Sequence, residues 1–377
     1  MHIKHQRIKD IIVVVSVLCV LVVMTISAWI KPAKEFSDSE RRYLDQLPAC
    51  TLQSLVNGSF MSAFEEYTVD QFPGRDIWRG LKSEVALNGF GQKDIHDIYC
   101  YKGYLSKMEY PLNIESLDRA GRVFQGIYEK YLEDSDTNVY FSIIPDKNCF
   151  MAEESGHLSL DYNALYDYMT AKTSYMKYID IVSLLELTDY YKTDTHWRQE
   201  RIEDVASLLL NEMGAYHGID EETYRKTMYE KKVLEKEFFG VYVGQSGLSV
   251  PGEELYYLDD AHLQACKVFD HEHQKETSIY DMEKANGKDP YEMFLSGPLS
   301  LITIENPNAV TEKELIIFRD SFGSALAPLM VEPYAKVTLV DIRYMPSSLL
   351  DKWITFDHQD VLFLYSTQVL NNSETMK

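Results

Sequence analysis

Two short stretches carry residue types that could act together on a carbonyl. In Tyr190-Tyr191-Lys192-Thr193-Asp194-Thr195-His196-Trp197, a carboxylate and an imidazole stand two positions apart. In extended backbone that spacing puts both side chains on one face, about 6–7 Å apart along the chain. The carboxylate can then take the imidazole Nδ1–H, fix the tautomer and stabilise the imidazolium, which leaves Nε2 as a base. In the second stretch, the apolar run Leu315-Ile316-Ile317-Phe318 leads through Arg319 to Asp320-Ser321-Phe322-Gly323. A serine at the carboxyl end of a buried strand, just before a helix, sits where open α/β sheets place their chemistry. The Ser321 backbone N–H is then the first oxyanion donor to consider. Both stretches also have a purely structural reading. Asp320 or Ser321 could cap the following helix, and Asp194 or Thr195 could cap a helix running to Met213. Ser324 lies one turn inside the helix and is less well placed as a nucleophile.

These residues need a scaffold, and the pattern of elements is that of an α/β sheet. Helical stripes are expected over Leu117–Tyr131, Tyr162–Ala171 and Glu200–Met213. Strands are expected over Asn138–Ile144, Tyr178–Val182, Leu315–Phe318, Lys336–Val340 and Asp360–Tyr365. Strands separated by helices argue a parallel sheet covered on both faces. From about Gly218 to Pro307 the rhythm lapses, which reads as an insertion of hairpins and loops, including Phe239–Gly247. Upstream, Phe36–Leu44 reads as polar and helical, Ser54–Asp70 and Ile77–Leu87 as helices, and Tyr99–Leu105 as a hairpin.

Ile11–Ile30 is an uninterrupted apolar segment, long enough to cross a bilayer as a helix. The basic flank before it places the N-terminus on the cytoplasmic side. The run is longer than a signal-peptide h-region, and no small-x-small site precedes Lys31. The expected organisation is therefore a cytoplasmic tail (1–10), a single-pass membrane anchor (11–30), an N-terminal helical and hairpin segment (31–110) and an α/β domain (111–377) with its insertion at about 218–307. The chain carries a net charge of −22. Residues 1–34 hold five basic residues and one acid, so the remainder has 32 basic groups against 58 acidic ones, a net −26. Such a surface repels nucleic acid and anionic headgroups. Five cysteines are present with no C-x-x-C spacing, which argues against a zinc site and a disulfide scaffold.

At this point the sequence resembles the SGNH-hydrolase-like bacterial O-acetyltransferases, nearest to the alginate acetyltransferases and the DHHW proteins of Gram-positive bacteria. The resemblance rests on Thr193-Asp194-Thr195-His196-Trp197 followed by Arg319-Asp320-Ser321-Phe322-Gly323, and on weaker blocks in the same order. Those are Glu40-Arg41, Asp70-x-Phe72-Pro73-x-Arg75-Asp76, Ile144-Pro145-Asp146-Lys147, Asp341-Ile342-Arg343-Tyr344 and Leu364-Tyr365-Ser366. It implies a Ser321–His196–Asp194 triad in which the acid and base precede the serine, acting through an acyl-serine. It also implies an acetyl group passed to hydroxyls of an exported polysaccharide, supplied by a multi-pass membrane acyltransferase, with no metal or cofactor. Two departures stand out: Arg319 replaces a glycine, and Thr195 stands where the DHHW namesake has histidine. No G-x-N oxyanion block is recognisable, so Tyr344, Arg343, Tyr365, Lys147, Trp197 and Arg319 are the remaining oxyanion or substrate candidates. An acetylesterase and a non-catalytic polysaccharide-binding subunit are the rival readings. Among other residues, His271-Glu272-His273 lacks a third metal ligand at sensible spacing. Asp70 and Arg75 are expected to brace a turn.

Overall fold

The computed structural model describes residues 2–217 and 229–377 and divides into two units. The first comprises Met1–Gln92 and Val243–Ser249, and the second Lys93–Tyr242 and Val250–Lys377. The first unit begins with the long helix α1 (His2–Ile30). Its Arg7–Ile30 portion is long and apolar enough to cross a membrane. Next comes not the expected helix over Phe36–Leu44 but a small hairpin of β1 (Phe36–Ser37) and β2 (Arg42–Tyr43). The reason lies in Glu40 at its turn. Its carboxylate pairs with Arg42 at 2.9 Å, Arg75 at 2.9 Å and Arg79 at 2.6 Å, contacts that a helical segment would not converge. The helices α2 (Leu52–Val56), α3 (Ser59–Asp70) and α4 (Arg75–Glu84) follow, with a break at Asn57-Gly58 inside the stretch expected to be one helix.

The second unit holds the hairpin β3 (Ile98–Tyr101) and β4 (Tyr104–Lys107), as expected, and then the main sheet. Its strands are β5 (Asn138–Ile144), β6 (Lys177–Tyr178), β9 (Lys267–Asp270), β10 (Lys275–Thr277), β11 (Leu301–Glu305), β12 (Glu314–Arg319), β13 (Lys336–Val340) and β14 (Asp360–Ser366). A separate two-stranded pair is formed by β7 (Glu230–Val233) and β8 (Tyr256–Asp259). The eight strands are ordered β10-β9-β11-β13-β12-β14-β5-β6. The run from β13 to β6 is parallel, and β11, β9 and β10 extend it antiparallel. Three of the strands thus come from the stretch where the sequence rhythm lapses. Phe239–Gly247 is not a hairpin but leads into a helix, Val241–Ser246. The start of the expected insertion, residues 218–228, lies outside the described residues.

Strand alternation sends neighbouring residues to opposite cores. Leu315 and Ile317 pack on one face with Val205 and Leu209 of α8 (Glu203–Glu212). Ile316 and Phe318 pack on the other, with Leu117 and Phe124 of α5 (Ile114–Ile127) and with Leu165 and Met169 of α7 (Tyr162–Lys172), which follows the short α6 (Asn148–Ser155). Because β12 is covered on both faces, its register is strongly specified. A slip of one residue would exchange the two sets.

In the first unit, the Asp70 carboxylate accepts from Arg42 through both oxygens, at 2.5 and 2.8 Å, and from the Asp45 N–H at 2.8 Å. Arg75 adds an ion pair at 3.4 Å. The Arg42 hydrogen bonds hold the Asp70 carboxyl down to about 2. A depressed carboxyl stabilises the fold above its unfolded value and loses that contribution as pH falls through the folded one. Asp70→Asn is expected to cost about 2 kcal/mol at neutral pH. Denaturant titrations of the full chain in detergent should also show a flatter acid limb below about pH 4. An unchanged limb would assign acid unfolding to other carboxylates.

Candidate active site

The Asp194–His196 stretch is the tip of a closed loop rather than a helix start. Tyr190 and Trp197 pair antiparallel at its base, Tyr191 N–H donates to the His196 carbonyl at 3.1 Å, and Arg198 N–H donates to that of Asp189 at 2.7 Å. Helix α8 begins only at Glu203, so Asp194 and Thr195 do not cap it. Asp194 is fully buried, and its Oδ1 accepts from His196 Nδ1 at 2.6 Å and from the His196 backbone N–H at 3.2 Å. With Nδ1 carrying its hydrogen toward the carboxylate, Nε2 is left to accept. Ser321 Oγ stands 2.8 Å from it. The imidazole is held flat by Tyr291, stacked at 4.0 Å and 11°, and is flanked by Phe322 at 4.9 Å.

On the serine side, β12 ends at Arg319 and the short helix Phe322–Leu326 begins. Asp320 caps that start: its Oδ1 accepts from Phe322 N–H at 3.0 Å, and its Oδ2 accepts from Ser366 N–H at 2.8 Å at the end of the neighbouring β14. Ser321 makes no capping bond with its side chain, which leaves Oγ for the histidine. Its backbone N–H has no carbonyl acceptor among the described residues. Ser324 is buried inside the helix.

The remaining sequence candidates fall into two groups. Trp197, Tyr365 and Arg319 are corrections to the substrate-side expectation, since all three are buried. Trp197 Nε1–H donates to the Phe322 carbonyl at 3.1 Å and braces the helix behind the serine. Tyr365 packs on Phe124 at 5.1 Å, in the core on the far face of the sheet. Arg319 lies 1 % exposed, 3.7 Å from Asp341, and burial lowers its guanidinium pKa. Arg343 is bonded through two nitrogens to Asp341, at 2.9 and 2.6 Å, and Tyr344 is exposed beside it. His271 Nε2 stands 3.1 Å from Thr303 Oγ1, and His273 Nδ1 2.7 Å from Asp270.

Lys147 is buried beneath the loop. Its Nζ donates to the carbonyls of Tyr191 at 2.8 Å and Lys192 at 3.3 Å, so it holds the loop backbone and does not face solvent. Burial, outweighing the attraction of Glu253, Asp194 and Asp146, pushes its pKa down to about 7.

Several residues that position the site were not identified from sequence. Glu253 accepts from the N–H groups of Lys192 at 2.9 Å and Thr193 at 2.8 Å, and from Thr193 Oγ1 at 2.6 Å. Val241 N–H donates to Asp194 Oδ2 at 2.8 Å. Gln368 Oε1 accepts from Thr195 Oγ1 at 2.8 Å. Gly240 lets its chain pass against the loop, since a Cβ there would collide with Thr193 and Asp194 backbone atoms. The only sequence signal for Gly240 was its place in a glycine-containing segment, Phe239–Gly247.

No family model matches the chain, and no curated protein matches it. Solved structures do. A DHHW family protein from Eubacterium siraeum aligns at TM-score 0.57 and 20 % identity, over 74 % of this chain and 93 % of its own. Bacillus cereus PatB1 aligns at TM-score 0.57 and 19 % identity, over 72 % and 96 %. The chain shares their fold. The α/β architecture expected from the sequence, a mostly parallel sheet with helices on both faces, is the one observed.

Gly240→Ala tests whether the loop tolerates displacement. Pushing Asp194 by about 1 Å is expected to slow modification of Ser321 by a fluorophosphonate probe about 100-fold. A variant labelled at the parent rate would show that the loop absorbs the extra methyl.

Proposed function

We propose that the chain is a membrane-anchored, extracytoplasmic O-acyltransferase. On this reading it moves an acetyl group to a hydroxyl of a cell-surface or exported polysaccharide through an acyl-Ser321. The observation that carries this reading is the continuous relay of 2.6 Å from Asp194 to His196 and 2.8 Å from His196 to Ser321. As the Ser321 oxygen attacks the acyl carbonyl, its proton passes to His196 Nε2, and Asp194 stabilises the resulting imidazolium. The Ser321 N–H is the first donor to the oxyanion. When the tetrahedral adduct collapses, the leaving group takes the proton from Nε2 and the acyl-serine remains. An acceptor hydroxyl then gives its proton to Nε2, attacks the acyl carbon and departs as the ester, and the proton returns to Ser321. The apolar Arg7–Ile30 helix supports the anchor, and the basic flank before it supports export of the chain beyond Ile30. A multi-pass membrane acyltransferase is the proposed source of the acyl group.

PatB1, whose fold the chain shares, has been solved with a sulfonyl adduct, so a sulfonyl fluoride is a suitable first electrophile beside an activated acetyl ester. Intact-mass spectrometry of the full chain in detergent should find one group added, on Ser321, and none in Ser321→Ala. His196→Ala and Asp194→Ala should each slow acylation by about 1,000-fold or more. Combining Ser321→Ala with His196→Ala should be little worse than either change alone. A glycan that speeds loss of acetyl from Ser321 and retains it marks a transferase, and release to water at the same rate marks an esterase. No adduct with any electrophile, with polysaccharide binding intact, would make the chain a binding subunit.

A further inference from the structure

A cavity of about 700 Å³ lies in the same unit as the site. Its walls include Asp97, Lys107, Glu109, Tyr110, Asn371 and Asn372. Two elements form the connection. Strand β4, which ends at Lys107, gives the Leu105 N–H to the Lys192 carbonyl at 2.7 Å, directly before Thr193-Asp194. The helix Thr367–Asn371 carries Gln368, which takes the Thr195 hydroxyl, and Asn372 donates to the Gln368 carbonyl at 2.9 Å. That helix starts beside Ser366, whose N–H is bound by Asp320 next to the nucleophile. The five-residue helix rises about 7.5 Å between that point and Asn372. The cavity is therefore built on the two elements that touch the His196 loop.

The lining is matched to hydroxyl groups. Carboxylates accept from hydroxyls, carboxamides both donate and accept, and an aromatic face covers the C–H face of a pyranose. Tyr110 is 57 % exposed, whereas Glu109 is 6 % exposed. Lys107 Nζ stands 3.9 Å from the Glu109 carboxylate. Burial, with Asp146 adding repulsion, pushes the Glu109 carboxyl up to about 7 even against Lys107 and Asn372. Asp97 and Glu115 outnumber the single Lys107 of the lining, so an anion entering the cavity meets net like charge whether or not Glu109 is ionised. A hydroxyl or an ammonium does not.

We propose that this cavity is a sugar subsite, holding an uncharged or amine-bearing residue of the glycan acceptor and turning uronates away. The inference rests on acyl transfer from Ser321 to a glycan, and the two can fail separately. Binding is measured on full-length Ser321→Ala in detergent, by isothermal titration with cello-oligosaccharide, chitosan oligosaccharide and oligogalacturonate. Acylation of Ser321 by an activated ester is measured on the parent. The neutral or the amine-bearing oligomer should bind at least about tenfold more tightly than the uronate, and Tyr110→Ala and Asn372→Ala should each weaken it about tenfold. Both residues are exposed, so these variants report on binding even where Glu109→Gln fails to fold. If the parent is acylated but both variants bind like Ser321→Ala alone, or the uronate binds equally well, this inference falls and the transfer reading stands. If the oligomers bind through Tyr110 and Asn372 but Ser321 never acylates, the sugar site stands and the transfer reading falls.

Discussion

The Asp320 carboxylate is the constraint on which the serine side of the site depends. It is completely buried, and an ionised group there is tolerable only when its oxygens are satisfied. One oxygen takes the N–H that opens the helix after Ser321, and the other takes the N–H at the end of the adjacent strand. The turn carrying the serine is thereby tied to two strands at once. The neighbouring strand ends use the same device. Asp146, after β5, accepts from Thr367 Oγ1 at 2.6 Å and from Tyr162, while Asp341, after β13, takes Arg343. A row of buried carboxylates holds the carboxyl edge of the sheet where the chain must stop being a strand.

The histidine is held in a different way. Its loop belongs to no helix or sheet, so its backbone polar groups need partners from elsewhere. Glu253 takes the N–H groups on one side, Lys147 takes the carbonyls on the other, and Val241 reaches the Asp194 carboxylate. Tyr291 covers the imidazole face, which opposes rotation of the ring out of the line between Asp194 and Ser321. Four separate segments thus immobilise a short irregular stretch, and the strain of an isolated loop is avoided.

What could be read in advance depends on the range of the interaction. Strands β5, β12, β13 and β14 announce themselves as apolar runs because both of their faces are buried. The Asp194–His196 pair is legible because two residues of one chain segment bond to each other, a local event. Strands β9 to β11 were not legible. They are short, stand toward the sheet edge, and carry charged residues such as Lys267, Asp270 and Glu305 that interrupt alternation. Glu253, Gly240 and Gln368 were invisible for a related reason, since each acts on a loop between 47 and 173 residues away. Trp197, Tyr365 and Arg319 misled because a residue beside a motif need not face the same way as the motif. Alternation along β12 and β14 and the bridge at Trp197 send their bulk into the cores.

The order of the strands also governs how the chain comes into being. Ser321 lies at the end of β12, but one side of β12 is covered by β14, which spans residues 360–366 and separates it from β5. A chain made from its N-terminus therefore exposes its histidine loop long before the serine's strand has both neighbours. The Ser366 N–H that steadies Asp320 emerges later still. The turn that carries Ser321 is consequently complete only when almost all of the chain has been made. Strand order by itself delays the alignment of Asp194, His196 and Ser321 until the fold is closed.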